Sequence, residues 1–172
     1  LVVIGGGHAG IEAAMAAARR KVKTALVTAS LDMAGSMPCN PSVGGPAKGI
    51  VVREIDDLGG LMPIAADKTA LQFKMLNTAK GPGVWSLRVQ SDKEAYKRFM
   101  KKALLEAENL TVIEGHAVRI LTADGKAAGV EMEDGRRILS RTVVLTAGTY
   151  MSSTVLKGHK AVSRGPAGQP PV

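Results

Sequence analysis

A glycine turn set between two apolar runs limits this chain to very few folds. Leu1 to Ile4 is fully apolar and β-branched, so it reads as a strand buried on both faces of a parallel sheet. Gly5-Gly6-Gly7-His8-Ala9-Gly10 follows, and Ile11 to Arg20 is alanine-rich and strongly helix-forming. Thr24 to Thr28 is a second apolar strand, which completes a βαβ unit. Gly5, Gly7 and Gly10 have the G-x-G-x-x-G spacing between a strand and a helix, where each glycine has a physical task. Gly5 permits the tight turn, Gly7 admits a pyrophosphate against the backbone, and Gly10 seats the helix close to the sheet. The N–H groups and the positive dipole end of the helix then hold phosphate. An acidic residue for the ribose hydroxyls is expected at the end of the second strand. This strand ends in Val27-Thr28, so the ribose falls to Thr28, Ser30, the loop residue Asp32 or backbone. Glu12, placed in the first helical turn, complements the dipole.

The remaining segments extend the same fold class. Ala29 to Ala47, with Pro38, Pro41 and Pro46, has the composition of a long functional loop. Ile50, Val51, Ile55 and Leu58 have helical spacing over 49–58, and Gly59-Gly60 stops that helix. Thr69 to Leu76 fits a short helix or a strand. Residues 92–108 form the longest helix, capped by Ser91 or Asp92, with Ala95, Phe99, Ala103 and Leu104 along its apolar face. Leu110 to Glu114 is a strand. Segments 117–123, 127–132 and 137–139 form a meander turning at Asp124-Gly125 and Asp134-Gly135. Thr142 to Ala147 is a last apolar strand. The expected architecture is α/β, a Rossmann-like domain with a parallel sheet and an antiparallel β-meander, over residues 1–172.

Composition narrows the class further. Only 3% of residues are aromatic and 20 are glycine, which suits tightly packed helix-on-sheet layers. No apolar run reaches the roughly 18 residues that a membrane span needs. Cys39 is the single cysteine, so no internal disulfide forms and a reducing cytoplasm is the natural setting. The net charge of +8 fits either a polyanion partner or a lysine-rich surface. Arg19, Arg20, Lys21 and Lys23 suit the negative end of the first helix, and Lys97, Arg98, Lys101 and Lys102 suit a solvated face. The chain opens within a strand, without an initiator methionine, and ends at Pro170-Pro171-Val172, which reads as a piece of a longer protein.

The strand 142–147 closes in the small-residue turn Ala147-Gly148-Thr149. Flavoproteins resembling glutathione reductase use such a turn after a meander to approach the dinucleotide, which points to FAD. Longer segments carry a closer likeness: Gly5 to Ala14, Met37-Pro38-Cys39-Asn40-Pro41-Ser42-Val43-Gly44-Gly45, Leu58-Gly59-Gly60-Leu61-Met62, Gln72 to Asn77, Lys80-Gly81-Pro82 and Val144 to Thr149. Across nearly its whole length the chain resembles the N-terminal flavin part of the GidA (MnmG) family of tRNA uridine modification enzymes. That resemblance implies a larger homodimeric flavoenzyme, of which this is the first third or less. It implies FAD, NADH engaged by regions absent here, tRNA, an MnmE-type GTPase and a folate one-carbon donor. It implies that Gly5, Gly6, Gly7, His8, Ala9 and Gly10 form the FAD phosphate loop. Ala117 lies at a further FAD contact, and Ala147 and Gly148 at the second turn. Val172 stands where many members have a flavin-contacting serine and Trp85 where many have arginine, while Arg88 keeps a second arginine. Trp85 is read as packed or as stacked on a base.

The resemblance also places Cys39 in a flavin-side loop. It is either a nucleophile with a lowered pKa or an inert buried thiol. Lys48 and Arg53 lean towards the flavin or sit as solvated cations. His8, His116 and His159 show no catalytic partners. Competing functions are a small-molecule flavin oxidoreductase of the same fold, a folate-dependent tRNA methyltransferase and a non-catalytic dinucleotide module; fold alone does not separate them.

Overall fold

The computed structural model describes residues 1–38, 40–148, 151 and 154–163. In chain order the elements are β1 (Val2–Ile4), α1 (His8–Arg19), β2 (Thr24–Thr28), β3 (Ser42–Gly44), α2 (Lys48–Asp57), α3 (Leu61–Lys68), β4 (Ala70–Leu76), β5 (Ser86–Ser91), α4 (Lys93–Glu106), β6 (Leu110–Glu114), β7 (Ala117–Ala123), β8 (Lys126–Met132), β9 (Arg137–Leu139), β10 (Val143–Leu145), β11 (Thr154–Lys157) and β12 (Lys160–Ser163). They group into two compact units, one of residues 1–34 with 107–172 and one of residues 35–106.

The first unit is built on a parallel sheet of order β10-β1-β2-β6. Val3 pairs with Val144 and Leu26, and Thr28 pairs with Glu114. The period of two divides the apolar residues between the faces. Val2, Ile4, Ala25, Val27, Ile113 and Val143 join Val130 and Met132 of the meander in one cluster. Val3 and Leu26 have the opposite parity and are fully buried, as are Ile11 and Ala14 of α1. The buried stripe of α1 is Gly10, Ile11, Ala14 and Ala18; the three small residues let the helix lie close to the strands, and Ile11 packs into the core. The meander β7-β8-β9 turns where expected. Asp124 and Gly125 both have positive φ, the signature of a tight type I′ hairpin. A further hairpin, β11 with β12, has no counterpart in the sequence reading.

The second unit pairs β3-β5-β4 antiparallel. The segment 69–76, open between helix and strand in the sequence, is the strand β4, held by β5 from Ala70 to Leu76. The helix α3 and the strands β3 and β5 were not foreseen. Leu61, Ala65 and Ala66 of α3, Val43, Val89, and Tyr96, Met100 and Leu104 of α4 form the buried part. The helix α2 ends in a Schellman motif: Gly59 N–H donates to Asp56 O and Gly60 N–H to Ile55 O, both at 2.7 Å, with Gly59 at φ +77°.

The helix expected over 49–58 is α2, and its apolar positions Ile50, Val51 and Leu58 are exposed, with no residue of α2 buried. One expectation about a face is corrected. The stripe of α4 is Tyr96, Met100 and Leu104, with Ala95, Phe99 and Ala103 half-buried on its shoulder. A one-residue offset turns a helix by about 100°, and the longer Tyr and Met side chains take the core positions. Among the described residues no helix is long and apolar enough to cross a membrane.

Candidate functional site

The glycine turn lies at the carboxyl edge of the parallel sheet, where α/β sheets place their ligands. Gly5 sits at φ +109°, and its N–H donates to Val27 O at 2.8 Å. A side chain on Gly5 would run into the carbonyl oxygen of Thr146. On Gly6 it would strike Thr28 Oγ1, and on Gly10 it would strike the carbonyl oxygen of Gly5 and come within 2.7 Å of Thr146 Oγ1. Around Gly7, by contrast, there is nothing within 4 Å of such a Cβ. Three glycines therefore make the turn close and one leaves an open approach. Gly7 and Ala9 are exposed, and Gly10 is buried.

Helix α1 starts at His8, ahead of the expected Ile11, so residues 8–10 of the fingerprint form its first turn. Glu12 therefore lies one turn further in than expected, and no acidic residue stands in the first turn. Gly7 precedes the helix in extended conformation and provides no side-chain cap. Among the described residues neither a side-chain cap nor an acidic residue of its own first turn stands at this positive helix end, a setting suited to an anion.

Thr146 was not among the expected site residues, yet it braces the turn. Its N–H donates to Ile4 O at 2.9 Å, and its hydroxyl lies 2.7 Å from Ile4 O and 3.3 Å from Gly5 O. The signal was its place at the end of the last apolar strand, opposite Gly5. Ala147 and Gly148 follow directly; Gly148 has φ +77° and open space where a Cβ would lie. The first and second turns therefore meet, which sequence distance concealed. Thr149, Val172 and Cys39 lie outside the described residues.

At the end of β2, Thr28 is buried beneath Gly6 and donates to Ser30 O at 3.2 Å. Its hydroxyl is therefore committed to the backbone. The missing acid has a neighbour of the right chemistry: Glu114 closes the adjacent strand in register with Thr28, and its carboxylate accepts Leu31 N–H at 3.1 Å. Asp32 lies exposed on a short 3-10 turn. Ala117 opens β7, opposite Met132, against the sheet cluster.

The other singled-out residues belong to the second unit. Lys48 donates to Ser42 O at 3.2 Å, which fastens the start of α2 to β3. Arg53 and Trp85 line a cleft with Asp56 and Asp67. Trp85 is 50% exposed, so it is not a packed core residue, and its Nε1–H donates to Thr78 O at 3.3 Å. Arg88 pairs in β5 with Gly44 and Lys74. No group of three or more His, Cys, Asp or Glu side chains suited to a metal occurs among the described residues.

A glycine turn with one open residue leads into a helix without a side-chain cap and is braced by a second strand-end turn. With the meander on the sheet, it defines the Rossmann-like FAD-binding fold of the glutathione-reductase type. The chain belongs to the glucose inhibited division protein A family, whose model matches residues 1–172. It is 52% identical to the tRNA uridine 5-carboxymethylaminomethyl modification enzyme MnmG of Bacillus velezensis over 171 residues, 99% of this chain and 27% of that protein. It is 48% identical to the enzyme of the same name from Acholeplasma laidlawii over 98% of this chain and 27% of that protein. The crystal structure of Aquifex aeolicus GidA superposes with a TM-score of 0.94 at 48% identity, covering 99% of this chain and 28% of the other. The chain thus spans about a quarter of the length of the curated relatives it matches.

Proposed function

We propose that this chain is the FAD-holding part of a flavoenzyme that modifies the wobble uridine of tRNA at C5, adding a carboxymethylaminomethyl or aminomethyl group. The observation that carries the reading is the half-identical match, along 99% of the chain, to enzymes named for that tRNA modification. The glycine loop supports it independently, because its open Gly7 and uncapped helix start suit a pyrophosphate.

In this reading Gly5 to Gly10 bind the FAD phosphates through backbone N–H groups. Glu114 and the Thr28 edge face the ribose, Ala117 meets the cofactor through backbone, and Ala147-Gly148 give a second close approach. FAD supplies redox chemistry when bound, and the protein orients it. The Cys39 thiol stands on the flavin side as candidate nucleophile. NADH, a folate one-carbon donor, tRNA and an MnmE-type GTPase engage a full-length homodimer in the cytoplasm.

The test is nucleoside mass spectrometry of bulk tRNA from cells lacking the full-length gene. The expected outcome is loss of 5-carboxymethylaminomethyl-type uridines, restored by the wild-type gene. An unchanged nucleoside profile overturns the reading and leaves a small-molecule flavin oxidoreductase in its place.

A further inference from the structure

The 35–106 unit contains a cleft of about 420 Å³ walled by α2, α3, β3, β5 and the 83–85 segment. That volume lies within the range of small-ligand pockets, about 300–1,000 Å³. Its walls are largely apolar, with Val43, Leu87 and Val89 from the strands. Its charged lining residues are Arg53, Asp56 and Asp67, and no side chain of these three makes a hydrogen bond or ion pair among the described residues. Ser86, which also lines the cleft, has a buried Oγ without a hydrogen-bond partner among the described residues. Trp85 is the only tryptophan of the chain. It is 50% exposed on the cleft wall, while its indole N–H is tethered to Thr78 O.

Each group restricts the occupant. A tethered, half-exposed indole is a stacking surface for a flat π system. Uncommitted carboxylates accept N–H donors, and a guanidinium donates to a carbonyl oxygen. A purely aliphatic ligand leaves three charges unanswered, and a simple ion leaves the indole unused. A flat heterocycle with N–H donors and carbonyl acceptors on its edge satisfies all of them. We propose that this cleft binds a nucleobase, stacked on Trp85, with its N–H edge on Asp56 or Asp67 and a carbonyl oxygen towards Arg53. The assignment of that base to tRNA rests on the proposed function; the binding chemistry does not.

Because Trp85 is the sole tryptophan, its fluorescence reports the cleft directly. Nucleoside monophosphates titrated into the chain are expected to quench it saturably, and ribose 5-phosphate is not. At least one of Asp56→Asn and Asp67→Asn is expected to weaken the apparent affinity about tenfold, the loss of one charge-assisted hydrogen bond. A uridine-containing single-stranded oligonucleotide that binds more tightly than uridine monophosphate identifies a polynucleotide as the source of the base. Equal affinity supports the site with free nucleotide as its occupant. Equal quenching by ribose 5-phosphate, or unchanged affinity in both Asn variants, overturns the proposal. Saturation by riboflavin without response to nucleotides also overturns it and assigns the cleft to a flavin ring. An unchanged tRNA nucleoside profile after gene deletion sinks the proposed function alone, since this titration reads only the cleft.

Discussion

Gly7 and Gly10 differ in what an added methyl group would meet, and this separates binding from folding. At Gly10 it would collide with Gly5 O and crowd Thr146 Oγ1, so Gly10→Ala is expected to destabilise the fold by about 1–3 kcal/mol, as overpacking does. At Gly7 it would meet open space with φ −76°, a conformation alanine adopts freely. Gly7→Ala is expected to change stability by at most about 1 kcal/mol, the scale of an altered helix cap. It should nevertheless lower FAD affinity by keeping the pyrophosphate off the backbone. Thermal unfolding and flavin titration of the full-length protein check both variants; equal losses of stability would remove the distinction. For Cys39 the expected outcome is loss of tRNA modification in Cys39→Ser with FAD still bound. Full activity in that variant, read by nucleoside mass spectrometry, takes the thiol out of the chemistry.

Single polar contacts set the ends of several elements. Asp92 caps α4 by accepting Ala95 N–H at 2.8 Å, so Asp92→Ala is expected to cost about 1 kcal/mol of unfolding free energy in a denaturant titration. At the β8–β9 turn, Asp134 accepts the backbone N–H of Arg136 at 3.0 Å and the Arg136 guanidinium through Nε at 2.7 Å. These bonds hold the exposed Asp134 carboxyl below the usual carboxylate range, the backbone N–H first among them. A group lowered in the folded state stabilises it above the ordinary carboxylate pKa, and that contribution disappears as pH falls through the lowered value. Side-chain NMR titration should therefore show Asp134 below a free aspartate and closer to it in Arg136→Ala. A free-aspartate value in the wild type would rule out the turn bond in solution. The same scale explains what the sequence reading missed. The meander was legible because Asp124-Gly125 and Asp134-Gly135 demand turns locally. The β4 strand was not, because β5 decides it and no local pattern announces that partner.

The chain carries the glycine turn on one unit and a cleft on the other, and spans 27% of a half-identical relative. Under the proposed function the glycine loop holds only the phosphates of FAD, and the ring is held by other parts of the full-length protein. The isolated chain is accordingly expected to bind FAD weakly or not at all in isothermal titration. Tight binding by residues 1–172 alone would show that the site is complete within them. The basic groups Arg19, at the last position of α1, and Arg20, Lys21 and Lys23 after it are all exposed. Their dipole role is sufficient, and charge reversal there should leave the salt dependence of tRNA binding unchanged in the full-length protein.

The sequence alone determined the βαβ unit, the glycine turn and the meander, because each follows from local rules. Glycines take conformations other residues avoid, apolar runs have a strand or helix period, and type I′ turns demand positive φ. Tertiary structure alone decided which distant residues meet. Thr146 braces Gly5 from the end of the neighbouring strand β10, Glu114 comes beside Thr28, and Ile50, Val51 and Leu58 stay exposed. Those outcomes depend on strand order and packing between segments far apart in the chain. No short-range pattern encodes them, because the deciding contact belongs to two stretches of sequence at once.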